Sequence, residues 1–89
     1  MLTNIKAAEA NCGTDAAGAS TFGSATVVRL VNSGTTNRLV TIIDEVGGST
    51  TIGAFTLVGG ATELVEKKST EAIFAANASV KGCKVGYTN

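Results

Sequence analysis

Few side chains in this 89-residue sequence are able to do chemistry. It contains no histidine, so the commonest general base and commonest metal ligand is missing. Neither a Ser-His-Asp nor a Cys-His nucleophilic site can be assembled. Seven carboxylates, seven Lys and Arg side chains and two cysteines remain. A glycosidase-type pair requires two carboxylates held across a cleft. Asp44 and Glu45 are adjacent, and Glu63 and Glu66 are separated by an odd step, so on a strand each pair splits between opposite faces. Glu9, Asp15 and Glu71 stand apart, and all seven read as solubilising charges. A structural zinc site wants four Cys or His ligands, and no D-x-D-x-D-G calcium loop is present. Gly47–Gly48 and Gly59–Gly60 are not followed by the Lys-Ser/Thr of a phosphate-binding loop. They read as turn residues adopting positive φ. The expectation is a protein without enzymatic activity, cofactor or metal.

Cys12 and Cys83 lie near opposite ends of the sequence, and two readings of them compete. A bridge would close a loop of roughly 70 residues and contribute up to ~4 kcal/mol. Alternatively both are buried thiols behaving as small hydrophobes. The formal net charge is zero, and Glu66–Lys68 is the densest charged spot. Nucleic-acid binding by counterion release needs a basic cluster, so no nucleic-acid partner is expected. No apolar run approaches the ~18 residues of a membrane span. The N-terminal MLTNIKAAEANCG lacks the charged and apolar regions of a signal peptide. Synthesis in a cytosol, with no membrane partner, is the corresponding expectation. Without an export signal, the Asn77–Ser79 match to a glycosylation acceptor reads as coincidence.

The elements that must position these groups are strands. From Ser24 onward Thr, Val and Ile dominate, and β-branched residues suit a pleated surface. Turn signals at NSGTTN, EVGGS, VGGAT and EKKST cut the chain into predicted strands at 25–32, 37–44, 50–58, 61–67, 71–76 and 79–87. Residues 1–23 read as a partly extended or loop-like segment, with 2–12 either a short helix or an edge strand. The predicted architecture is all-β: one domain over 1–89, a small antiparallel β-sandwich of about six to eight short strands, Ig-like or jelly-roll-like. Only Phe22, Phe55, Phe74 and Tyr87 are aromatic, so the core must be built from Val, Ile, Leu and Ala. Such a small domain gains much from a staple or from oligomerisation.

The segment ATVVRLVNSGTTNRLVTIID, Ala25–Asp44, reads as one antiparallel hairpin turning through Ser33–Thr36. Leu30 would then face Leu39 and Val28 would face Thr41. The other side would carry Val27 opposite Ile42, Arg29 opposite Val40 and Val31 opposite Arg38. Both sides are apolar, whereas a two-stranded ribbon in a small protein should keep one side wet. Two explanations compete. Either the second side is core and the first is covered by another segment, or Val27, Arg29, Val31, Arg38, Val40 and Ile42 form an interface with another protein chain, where Arg is enriched.

The segments Asn11–Cys12, ATVVRLVNSG, GAFTLVGGATELVEKKSTEAIFA and VKGCKVGYTN resemble small β-sandwich virion proteins of tailed phages, especially those of marine bacteria. The resemblance covers most of residues 11–89. It implies a non-enzymatic structural component of the particle, most concretely a head decoration or cement protein. A tail or neck accessory subunit is similar in kind, and a host-surface module for carbohydrate or receptor is the alternative. Implied partners are further copies of the chain and a major capsid or tail protein. Implied location is the virion, where an exposed thiol pair could oxidise after lysis.

Overall fold

The computed structural model describes residues 2–88, with the backbone alone for Tyr87 and Thr88. Eight strands are present: β1 (Leu2–Ile5), β2 (Ala10–Asn11), β3 (Val27–Asn32), β4 (Arg38–Ile43), β5 (Thr51–Leu57), β6 (Thr62–Glu66), β7 (Ala72–Ala75) and β8 (Val80–Thr88). They form two antiparallel sheets. In the larger, the order is β1-β8-β3-β6, with β2 also paired to β8; in the smaller it is β5-β4-β7. The protein is thus an all-β sandwich, and the six strands predicted from Ser24 onward occur within two residues of their expected limits.

The Ala25–Asp44 segment is not a hairpin. β3 lies between β8 and β6 of one sheet, and β4 lies between β5 and β7 of the other. Residues 33–37 therefore carry the chain across the sandwich rather than turning it back on itself. Each strand is central in its own sheet, which explains its two apolar faces. The inner face meets the opposite sheet, and the outer face is half-covered by side chains of flanking strands.

Val28 and Leu30 of β3, Val40 of β4, Leu57 of β5, Ile73 and Ala75 of β7 and Val80 of β8 meet between the sheets. Fully burying each large aliphatic side chain contributes about 1.5–3 kcal/mol. Phe22 is the one aromatic in this cluster of buried residues. It enters through a left-handed turn, with φ of 52° at Phe22, 69° at Gly23 and 57° at Ser24. Its ring lies over Gly82, where a Cβ would stand 2.9 Å from both Phe22 and Leu30.

All three sheet crossings at one end converge on Asn32, which is fully buried. Its Nδ2 donates to the Thr36 and Leu57 carbonyls at 2.7 and 3.0 Å. Its Oδ1 accepts from the Gly34 N–H at 3.0 Å and the Ser79 hydroxyl at 3.3 Å. The amide thereby ties together the β3–β4, β5–β6 and β7–β8 connections. A buried amide is tolerated only when it is satisfied in this way. The glycine pairs serve two needs. Gly47 and Gly60 have φ of 74° and 78°, whereas Gly48 and Gly59 allow close approach of Asp44 and Thr35.

The N-terminal segment supplies two edge strands. β1 pairs with residues 85–88 of β8, and β2 pairs with Lys81 and Gly82. The chain then passes to the smaller sheet, where Gly13 and Ser20 bridge to Phe74 and Ile73 along the outer edge of β7.

Candidate docking surface

The outer face of the larger sheet is the principal candidate surface. Alternation on β3 sends Val28 and Leu30 inward, so Val27, Arg29 and Val31 point outward. The register places Leu64 of β6 on one side of Arg29 and Cys83 of β8 on the other. Val85 lies two residues further along β8 and is paired with Ile5 of β1. Ile5 is 62% exposed and Leu64 46%, while Val85 and Cys83 are buried beneath their neighbours. The face is therefore a half-buried aliphatic floor with two exposed apolar margins.

One ion pair crosses that floor. Arg29 Nη1 approaches Glu9 Oε2 at 3.8 Å. Glu9 immediately precedes Ala10, the partner of Gly82, so Arg29 and Glu9 reach toward each other from either side of Cys83. Both side chains are substantially exposed, and such a pair contributes about 0–1 kcal/mol.

The six residues predicted to share an interface do not share a face. Val27, Arg29 and Val31 are on this outer surface. Arg38, Val40 and Ile42 belong to the other sheet, and Val40 is fully buried in the core. The error follows directly from the hairpin assumption, which fused two strands from different sheets into one ribbon. Arg38 has a buried Nε without a hydrogen-bond partner. Glu9, Leu64, Ile5 and Val85 join the surface only through the β1, β6 and β8 pairings, for which the sequence carries no local signal.

Of the two readings of the cysteines, the structure has the buried thiols: Cys12 and Cys83 are free and buried, with no bridge between them. Cys12 belongs to the cluster between the sheets, whereas Cys83, paired with outward Arg29, lies on the opposite side of its sheet. Burial pushes the Cys12 thiol up to about 12, partly offset by a backbone hydrogen bond.

Depressions also mark the surface. One, about 510 Å³, lies beside Thr26, Val27, Glu66, Lys67, Lys68 and Glu71. Lys67 is buried and donates from Nζ to the Ala25 and Lys68 carbonyls at 2.6 and 3.2 Å. Desolvation lowers its pKa, with the Glu71 charge opposing the shift. Because the amine is engaged by main chain, its evident role is to clamp the β6–β7 turn to the start of β3. A second cleft, about 230 Å³, lies between Ala7, Ala10, Phe22 and Lys84. A third, about 370 Å³, opens between Phe55 and Ile42 of the smaller sheet and Glu63, Leu64 and Val65 of β6.

Among the described residues, no group of three or more His, Cys, Asp or Glu side chains could hold a metal ion. Among them, too, no helix is long and apolar enough to cross a membrane. Comparison with protein-family models, curated proteins and solved structures gives no match.

Proposed function

We propose that the protein is a non-enzymatic structural component of a tailed-phage particle, most concretely a decoration or cement protein of the head lattice. The observation that carries this reading is the outer face of the larger sheet. Val27, Val31 and Val85 form an aliphatic floor, Ile5 and Leu64 expose large apolar side chains at its margins, and Arg29 with Glu9 supplies polar orientation near its centre. Exposed apolar side chains gathered around an arginine favour a protein-binding role, because Arg is enriched at protein interfaces. Sequence resemblance to small phage virion proteins supplies the identity of the lattice.

Docking would bury the floor against a shell protein. A standard interface removes ~800 Å² per partner from water, and most of the gross gain is consumed by association and ordering. Repetition of the site over a closed shell compensates for a modest individual affinity. Arg29 could then exchange Glu9 for a carboxylate of the shell, a charge-assisted contact with defined geometry.

Mass spectrometry of density-purified particles from the encoding phage tests this reading. The protein should be present in a fixed ratio to the major shell protein and should resist removal by washing. Its confinement to the soluble lysate would refute the assignment.

A further inference from the structure

The two sheets treat their edges differently. The outer edge of β7 is occupied by the chain itself through Gly13 and Ser20. β6 carries Glu63 and Glu66, and charges on an edge strand oppose pairing with a further strand. β5 has neither protection, and its one irregularity is the register shift near Ile52, which leaves Gly53–Leu57 regular. Thr51–Leu57 is a seven-residue strand without charge or proline, and no other strand pairs with its far side among the described residues. Three of the exposed large apolar residues also gather here: Ile52, Val58 and Leu39 of neighbouring β4 are 54%, 53% and 51% exposed.

The direction of the unpaired main-chain groups follows from the hydrogen bonds. The Leu39 carbonyl accepts from Ala76 N–H beyond the β7 end, so Leu39 faces the β7 side. Alternation then turns Arg38, Val40 and Ile42 toward their β5 partners Leu57, Phe55 and Gly53. The N–H and C=O groups of Ala54 and Thr56 consequently point away from the sheet, whereas at Ile52 the alternation is interrupted by a register shift opposite Ile42 and Ile43.

We propose that β5 is the pairing edge for a second copy of this chain, joined antiparallel about a two-fold axis at Ala54. This register sets Ala54 against Ala54, joined by a reciprocal pair of main-chain hydrogen bonds, and brings Thr56 opposite the irregular Ile52 position. Between these pairs, Phe55 of each copy stands opposite Gly53 of the other. That match is the reason for choosing a second copy over an unrelated strand. A Cβ at Gly53 would meet nothing within 4 Å, so the ring has space to lie over the glycine. An isologous contact requires such self-complementarity, and the uncharged strand brings no like charges together. The two smaller sheets become one continuous six-stranded sheet, and the partner's strand lies along the edge where the Phe55–Val65 cleft opens. The paired edge belongs to the smaller sheet and nears the docking face at Leu64, which also lines that cleft; Ala54 and Thr56 lie outside the docking face, so their variants separate the two contacts.

Light scattering and sedimentation of the full chain, from micromolar to millimolar concentration, test the pairing. The mass should rise from one chain to two. Thr56→Lys, whose side chain is exposed, should weaken dimerisation at least tenfold with an unchanged circular dichroism spectrum. Ala54→Pro should do the same, because it removes a donor that faces outward; if that variant fails to fold, Thr56→Lys alone decides. Ala54→Cys should form a symmetric disulfide on mild oxidation, since hydrogen-bonded pairs have Cα atoms ~5.5 Å apart, within bridging range. Val46→Cys, in the exposed 44–50 turn, should cross-link far less. A single-chain mass throughout, doubling that survives Thr56→Lys, or equal cross-linking of the two cysteine variants would overturn the proposal. Loss of particle binding by the larger-sheet face, with dimerisation intact, would refute only the docking role.

Discussion

Replacing Asn32 with alanine should remove most of the folding free energy, although the residue touches no candidate binding surface. The variant loses four side-chain hydrogen bonds. The Leu57 carbonyl is left without this donor in a buried position, which costs about 1–3 kcal/mol. The other three bonds are part-buried, and each is worth about 0.5–1.5 kcal/mol. The sum is roughly 2.5–7.5 kcal/mol, against the ~4–13 kcal/mol expected for a domain of this size at ~0.05–0.15 kcal/mol per residue. Urea unfolding followed by far-ultraviolet circular dichroism is the suitable assay. With a slope of ~1–2 kcal/mol per molar urea, a loss of ~5 kcal/mol should lower the midpoint by ~2.5–5 M, or leave the variant unfolded without denaturant. Ser33→Ala serves as a control. Its hydroxyl donates to the Ser79 carbonyl at 2.7 Å in an exposed position, so its loss should cost under ~1 kcal/mol. A loss below ~1 kcal/mol for Asn32→Ala would refute the argument that this amide holds the three crossings together.

Two further perturbations follow from burial. Val40→Asp places a carboxylate at a fully buried position between the sheets, at a cost of several kcal/mol; circular dichroism at neutral pH should show an unfolded chain, and a folded variant would contradict the core assignment. The raised pKa of Cys12 gives stability that is present below the ordinary thiol value of 9.0 and is lost as pH rises toward about 12. Between those values native protein should lose up to ~1.4 kcal/mol per pH unit relative to Cys12→Ala. Comparing the two proteins at each pH cancels the opposite trend from Lys67, whose lowered pKa makes stability rise as pH approaches 10.5. Parallel pH profiles would show that Cys12 reaches solvent.

Local pattern revealed the strands because β-branched residues and turn signals act within a few positions of each other. Strand pairing was not legible to the same extent. The alternation of Val28 and Leu30 is satisfied equally by a hairpin partner or by an opposing sheet, and NSGTTN can serve as a turn or a crossing. What decides is Asn32, whose hydrogen bonds to Leu57 and Ser79 span 25 and 47 positions. The docking surface divides in the same way. Val27, Arg29 and Val31 were legible from period-two alternation on one strand. Glu9, Leu64 and Val85 were not, because they join that face only through long-range register. The cysteines show the same limit, since sequence fixes neither the face of β8 that carries Cys83 nor the path that takes Cys12 into the core.

The most direct test of the proposed docking is binding of the purified protein to phage particles that, on this proposal, have been stripped of their bound copies. Leu64→Glu changes an exposed outer-face residue, so its urea midpoint should match that of the native chain within experimental error. Burying the unpaired carboxylate against the shell should cost at least ~1.4 kcal/mol, or roughly tenfold in affinity. Native protein should therefore saturate the stripped particles at concentrations where Leu64→Glu does not bind. Equal binding by the two folded proteins would contradict the assignment of this face to the particle contact.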